Sequence, residues 1–75
     1  MGFYFFDVGI ATSSKTKKQY GFVVIIDEDG NSFKQFIQPD EVSHYQNTYE
    51  KFDDISEKVS FRYDSKKQAY LPFIK

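Results

Sequence analysis

Residues able to do chemistry cluster in one part of this chain, and the chemistry they suit is stacking rather than bond-making. Tyr20 and Phe22 stand two apart, as do Phe36 and Gln38. Side chains along an extended strand alternate between faces, so Tyr20 and Phe22 share one face while Gly21, Val23 and Ile25 share the other. Rings outward and aliphatics inward make a platform for unpaired bases when Phe36 and Gln38 lie on a neighbouring strand in register. Gly21 is expected to permit close approach of the bound strand, and Gln38 to hydrogen-bond a base edge or sugar. Lys15, Lys17 and Lys18 fall at the rim of this platform, and Arg62, on the outward set of a later strand, joins them for phosphates. Stacking contributes about 1–3 kcal/mol per base, so three rings supply roughly 3–9 kcal/mol before ordering costs, which points to micromolar affinity. Three or four phosphate contacts imply a single-strand salt slope of only about −2 to −3. The acidic run Asp27-Glu28-Asp29 repels phosphates if it lies close.

Other constellations fail on their own terms. His44 is the only histidine, beside Ser43 in a polar stretch with no partner for a nucleophile triad. Asp27, Asp29 and Asn31 have the spacing that opens a calcium loop, but Ser32 stands where that loop needs glycine and Gln38 where it needs a bidentate Glu. The glycines at 2, 9, 21 and 30 make no phosphate-cradling loop. No catalytic residue, metal site or cofactor is expected, and the chain does not read as an enzyme.

The elements that must position the platform are short strands. Phe3 to Ala11 reads as a first strand with a bulge or bend at Gly9, followed by a polar turn over Ser13 to Lys18. Tyr20 to Ile26 is the strongest strand; Asp29-Gly30 signals a hairpin into Ser32 to Gln38, which Pro39 breaks. Glu41 to Asp54 is a long polar connection with room for one helical turn. Lys58 to Tyr63 alternates, predicting Val59, Phe61 and Tyr63 as its inward set. A last strand, Gln68 to Ile74, contains Pro72 and must therefore be an edge or a bulge. Five strands in 75 residues fit an all-β, small five-stranded antiparallel barrel of the oligonucleotide/oligosaccharide-binding (OB) type, with an SH3-like barrel as its nearest competitor.

Composition sets the limits. At this length there is one core and no second domain. The absence of cysteine leaves packing alone to hold it and suits a reducing cytoplasm. Fifteen aromatics, nine Phe and six Tyr, favour strands over helices. Ten basic against eleven acidic side chains give a net charge of −1, which excludes a bulk electrostatic grip on nucleic acid or an anionic membrane and leaves only a local patch. The apolar run Phe3 to Phe6 stops at Asp7, too short for a span or a signal peptide, and Phe6 stands where an N-acylation signal wants Ser or Thr.

The segment Lys18-Gln19-Tyr20-Gly21-Phe22-Val23 resembles the first nucleic-acid-binding motif of the bacterial cold-shock domain, and Phe36-Ile37-Gln38-Pro39 with Val42 resembles the second. Lys58-Val59-Ser60-Phe61 and Gln68-Ala69 are similar to the family's later strands. The resemblance covers residues 9–75 as a cold-shock-like OB domain, leaving residues 1–8 as an extension or the early part of strand one. It implies a barrel that binds single-stranded RNA or DNA and acts as an RNA chaperone. The departures thin the binding face: Ser13 and Ser14 replace an exposed Trp-Phe pair, Gln19 replaces the motif's first glycine, Gln38 its histidine and Pro39 the aromatic after it.

The expectation is therefore a cytoplasmic, weak, sequence-tolerant single-strand binder using Lys15, Lys17, Lys18, Tyr20, Phe22, Phe36, Gln38 and Arg62. The alternative is a protein-interaction OB module whose nucleic-acid face has decayed. Competing readings bury the three rings in a shifted register or under the N-terminal extension, or treat the lysines as a solvated turn. Phe3, Tyr4, Phe5 and Phe6 read as strand core, with an edge strand or self-association seam as the alternative, and a monomer is expected over a dimer. No membrane partner is expected.

Overall fold

Alternating apolar runs become strands, and their inner faces meet in one small core. In the computed structural model, which describes residues 2–75, Phe3–Thr12 forms β1, Gln19–Asp27 β2, Ser32–Ile37 β3, Val59–Asp64 β4 and Ala69–Ile74 β5. Helix α1, Val42–Thr48, follows a 3₁₀ turn at Pro39–Glu41, and a second such turn, Ser56–Lys58, precedes β4. β1, β2 and β3 make one antiparallel sheet in that order, while β4 and β5 form a separate two-stranded hairpin. No helix among the described residues is long and apolar enough to cross a membrane.

The core consists of Phe3, Phe5, Val23, Ile25, Tyr45, Ile55 and Ile74. Val23 and Ile25 are 0% exposed. In the sheet register Phe5 opposes Ile25, Val8 opposes Val23, and Phe33 opposes Ile25 from the other side. Val42 and Tyr45, three apart on α1, close over this inner face, and burial pushes the Tyr45 phenol above its usual range. The N-terminal aromatics belong to this arrangement: Phe3 and Phe5 are buried, and residues 3–8 run unbroken into residues 9–12 as β1. Met1 lies outside the described residues.

A bulge in β1 falls between Phe5 and Asp7, so Phe6, not Gly9, is the extra residue. The bulge reverses the alternation, letting Phe3 and Phe5 point inward before it and Val8 after it. Gly21 also has a different role from the expected one. It faces the interior, where an added Cβ would lie 2.8 Å from Ile37 Cγ1 and 2.9 Å from Val42 Cγ2, so its smallness serves packing and not approach of a ligand.

The molecule is mostly β, but the expected closed five-stranded barrel is not formed: the five strands lie in two sheets. Where a ladder between β3 and β5 would join the two sheets, one side chain stands in, and β4 makes no ladder with β1. Gln35 Nε2 donates to the carbonyl of Ile74 (3.2 Å), and the Ile74 N–H donates to Gln35 Oε1 (2.8 Å). Since both Ile74 backbone groups face β3, the alternation of an antiparallel pair also turns those of Pro72 and Tyr70 that way. Pro72 has no N–H to offer, which blocks extension of the ladder beyond Ile74 and fits its place on an edge strand. On the opposite side, the free edge of β1 is covered by residues 52–56. Phe5 N–H donates to Asp53 O (2.9 Å), Phe52 N–H to Phe5 O (2.6 Å) and Ile55 N–H to Phe3 O (2.9 Å).

The expected inward set of β4 is only partly buried. Val59 packs on the core, but Phe61 and Tyr63 are each 53% exposed. Phe61 still meets Phe3 edge-on at 5.6 Å, and Tyr63 meets Tyr70 of β5 at 5.3 Å, so the alternation holds while the hairpin projects beyond the body that would cover it.

Truncating Ile25 tests where the stability resides. A domain of this size is expected to have about 4–11 kcal/mol in total. Ile25→Ala should cost about 2–5 kcal/mol in urea unfolding, whereas Tyr70→Ala, on the projecting hairpin, should cost less than about 1 kcal/mol.

Candidate nucleic-acid interface

With Val23 and Ile25 committed to the core, β2 must turn Tyr20, Phe22 and Val24 to the opposite face. The neighbouring strands contribute Gly9 and Ala11 from β1 and Lys34 and Phe36 from β3. Helix α1 packs on the other side, through Val42 and Tyr45, and leaves this face open. Phe22 and Phe36 are direct cross-strand partners. The Asp27 N–H donates to Asn31 O at the hairpin end, so counting back along the ladder makes Phe22–Phe36 a non-hydrogen-bonded pair, the type with the closest side chains.

Three rings and a cation meet there. Tyr20 and Phe36 make an edge-to-face contact with centroids 5.5 Å apart. Lys34 Nζ lies 4.7 Å from the centroid of Phe22 and 6.0 Å from that of Phe36. Phe36 is 68% exposed, and Tyr20 and Phe22 are half-buried. Gly9 makes room for Phe22: a Cβ on residue 9 would stand 2.9 Å from Phe22 Cζ.

The expected rim residues are placed as follows. Lys15, Lys17 and Lys18 are exposed on the β1–β2 hairpin, one end of which is the Thr12–Gln19 pair beside Ala11–Tyr20. Hydrogen bonds from Ser13 N–H to Lys18 O and from Lys17 N–H to Ser13 O close this turn, with Lys17 at a φ of 62°. Arg62 is exposed on β4 and stacks its guanidinium 4.6 Å from the Phe73 centroid. It lines a groove of about 560 Å³ whose other wall includes Lys34 and Phe36, so the structure brings Arg62 to the edge of the platform. Gln38 is exposed but outside the ladder. β3 ends at Ile37, and Gln38 instead leads into the 3₁₀ turn, donating its N–H to Glu41 Oε1 (3.0 Å).

Lys34, Lys66 and Phe73 escaped the sequence reading. Lys34 had a signal, since it precedes Phe36 by two and so shares its face. Lys66 and Phe73 had none, because which hairpin borders β3 is decided by tertiary contact. A second ring-and-cation patch lies where residues 50–54 flank β1. Phe52 meets Phe6 at 6.0 Å, and Lys51 Nζ stands 4.5 Å from the Phe6 centroid. Phe52 is 60% exposed and holds a φ of 70°, a left-handed conformation more natural to glycine.

The acidic run is held away from the rings. It forms the β2–β3 turn, and nine residues of β2 at about 3.3 Å each put it roughly 25 Å from the lysine hairpin. Asp27 organises that turn, with Oδ1 accepting the N–H groups of Asp29 (3.0 Å) and Asn31 (2.9 Å) and Oδ2 accepting Asn31 Nδ2 (3.0 Å). The Asn31 side chain foremost, with these backbone donors, holds the Asp27 carboxyl below its ordinary 3.8. Among the described residues no group of three His, Cys, Asp or Glu side chains is placed to hold a metal ion.

Compared with family models, curated proteins and solved structures, the chain matches none.

Two measurements check this geometry. Gly9→Ala should push the Phe22 ring aside, so the upfield ring-current shift expected for the Lys34 ε-methylene protons should shrink in the variant's NMR spectrum. Because the folded pKa of Asp27 is depressed, its stabilising contribution is complete above the unfolded value and is lost as pH falls through the lower folded one. Asn31→Ala should therefore flatten the decline in stability between about pH 5 and pH 2 in a series of urea titrations.

Proposed function

We propose that this chain binds single-stranded RNA or DNA, weakly and with little sequence preference, on the outer face of β1, β2 and β3. The observation that carries this reading is the open face itself. Phe36, mostly exposed, pairs across strands with Phe22, and the Lys34 ammonium sits over both rings. A small domain gains nothing from leaving such rings in water, and bases have π-faces that stack on them whatever the sequence. Tyr20 extends the platform toward Lys15, Lys17 and Lys18, whose charges suit phosphates. By its motifs the chain resembles a divergent cold-shock protein, its five strands lying in two sheets where an OB-type barrel would be closed. The role implied by that resemblance is to keep transcripts unpaired in the cytoplasm, for which weak binding is an advantage because strands are released again.

A protein-interaction module is the rival, favoured by the near-zero net charge and by Ser13 and Ser14 where the family carries stacking rings. Titration of labelled oligo-dT and oligo-rU at two salt concentrations separates the two. Affinity near micromolar with a salt slope of about −2 to −3 is expected, falling roughly tenfold in Phe22→Ala and Phe36→Ala with the fold unchanged. No binding of either strand at tens of micromolar protein transfers the assignment to the interaction module.

A further inference from the structure

The groove beside the platform is assembled from two sheets that share no backbone ladder. One wall is β3, with Lys34 and Phe36; the other is the β4–β5 hairpin, with Arg62 stacked on Phe73, and Lys66 at its turn. Asp64 is the one carboxylate lining it, and its Oδ1 accepts the Lys66 and Lys67 N–H groups. Three cations against one carboxylate, with an aromatic ring on each wall, complement a chain of phosphates and bases. Beneath this groove the Gln35 amide, reaching from β3, exchanges two hydrogen bonds with the backbone of Ile74 in β5. Pro72, the next β5 residue whose backbone faces β3, has no N–H to add a second fastening.

We propose that a bound single strand continues from Phe36 into this groove, so that the site spans both sheets, and that Gln35 is the positioning residue that holds the Arg62–Phe73 wall at the distance a strand needs. The inference rests on the single-strand reading of the platform and adds to it a length requirement and a residue that acts through the wall it holds. A short oligonucleotide occupies the platform alone and is indifferent to the hairpin. A longer one uses both walls and is sensitive to whatever sets their separation.

The experiment compares a thymidine trinucleotide with an octanucleotide on the full chain, in wild type, Arg62→Ala, Gln35→Leu and Phe36→Ala. Gln35→Leu should weaken the octamer about five- to tenfold while leaving the trimer within about twofold, Arg62→Ala should weaken the octamer several-fold more than the trimer, and Phe36→Ala should weaken both. In wild type the octamer, and not the trimer, should shift the amide resonances of Arg62 and Phe73. Gln35→Leu keeps the side chain's size but removes its hydrogen bonds; if that variant does not fold, Arg62→Ala, altered only at the surface, decides the matter with the amide shifts. Equal losses for both lengths, or none for either, overturn the two-sheet site while leaving the platform standing if Phe36→Ala still weakens binding. Wild type that binds neither oligonucleotide overturns both readings.

Discussion

The complete burial of Val23 and Ile25 is the constraint from which the remaining arrangement follows. A strand has two faces and β2 lies at the centre of its sheet, so committing one face to the core fixes what the other presents. The described helix packs on one side only. Helix α1 and the β4–β5 hairpin contribute Tyr45 and Ile74 to the interior, and no described helix packs over Tyr20, Phe22 and Phe36. The exposed platform and the buried core are thus two consequences of one alternation, and a shift of one residue in register would exchange them.

Joining two sheets through a side chain rather than a ladder has mechanical consequences. Backbone pairing would repeat its bonds along the strand; the Gln35 amide provides two, at one place. The hairpin carrying Arg62 and Phe73 is therefore attached to the body by the core contacts of Val59 and Ile74, by Phe61 against Phe3 and by this clasp. The body itself is better fastened, because residues 52–56 bond along the outer edge of β1.

Much of the fold was legible in the sequence, and the parts that were not share a physical origin. All five strands lie within a residue or two of where alternation and turn chemistry put them, and Asp29-Gly30 and Pro72 behaved as local rules require. The outward direction of Tyr20, Phe22 and Phe36 followed from period two alone. Local rules could not reveal whether β3 and β5 come close enough to pair, because that depends on how two sheets pack. The same limit hid Phe73 and Lys66 and overestimated the burial of Phe61 and Tyr63, whose alternation was right but whose hairpin outruns its cover. The bulge at Phe6 was missed because two inward patterns, Phe3 with Phe5 and Val8 with Ile10, are each regular and only their junction is not. Gly21 looks from the sequence like a ligand position because the helix residue that presses on it, Val42, lies some twenty residues away in the chain.

The opposed turns at the two ends of β2 give the domain an electric polarity that its net charge conceals. Lys15, Lys17 and Lys18 stand at one end and Asp27, Glu28 and Asp29 at the other, so these six charges form a dipole along the strand. In the field of a polyanion such a body feels little net pull but a definite torque, which swings the lysine hairpin forward before contact. A nearly neutral molecule can in this way meet a charged filament in one preferred attitude, and lose that preference as added salt screens the field.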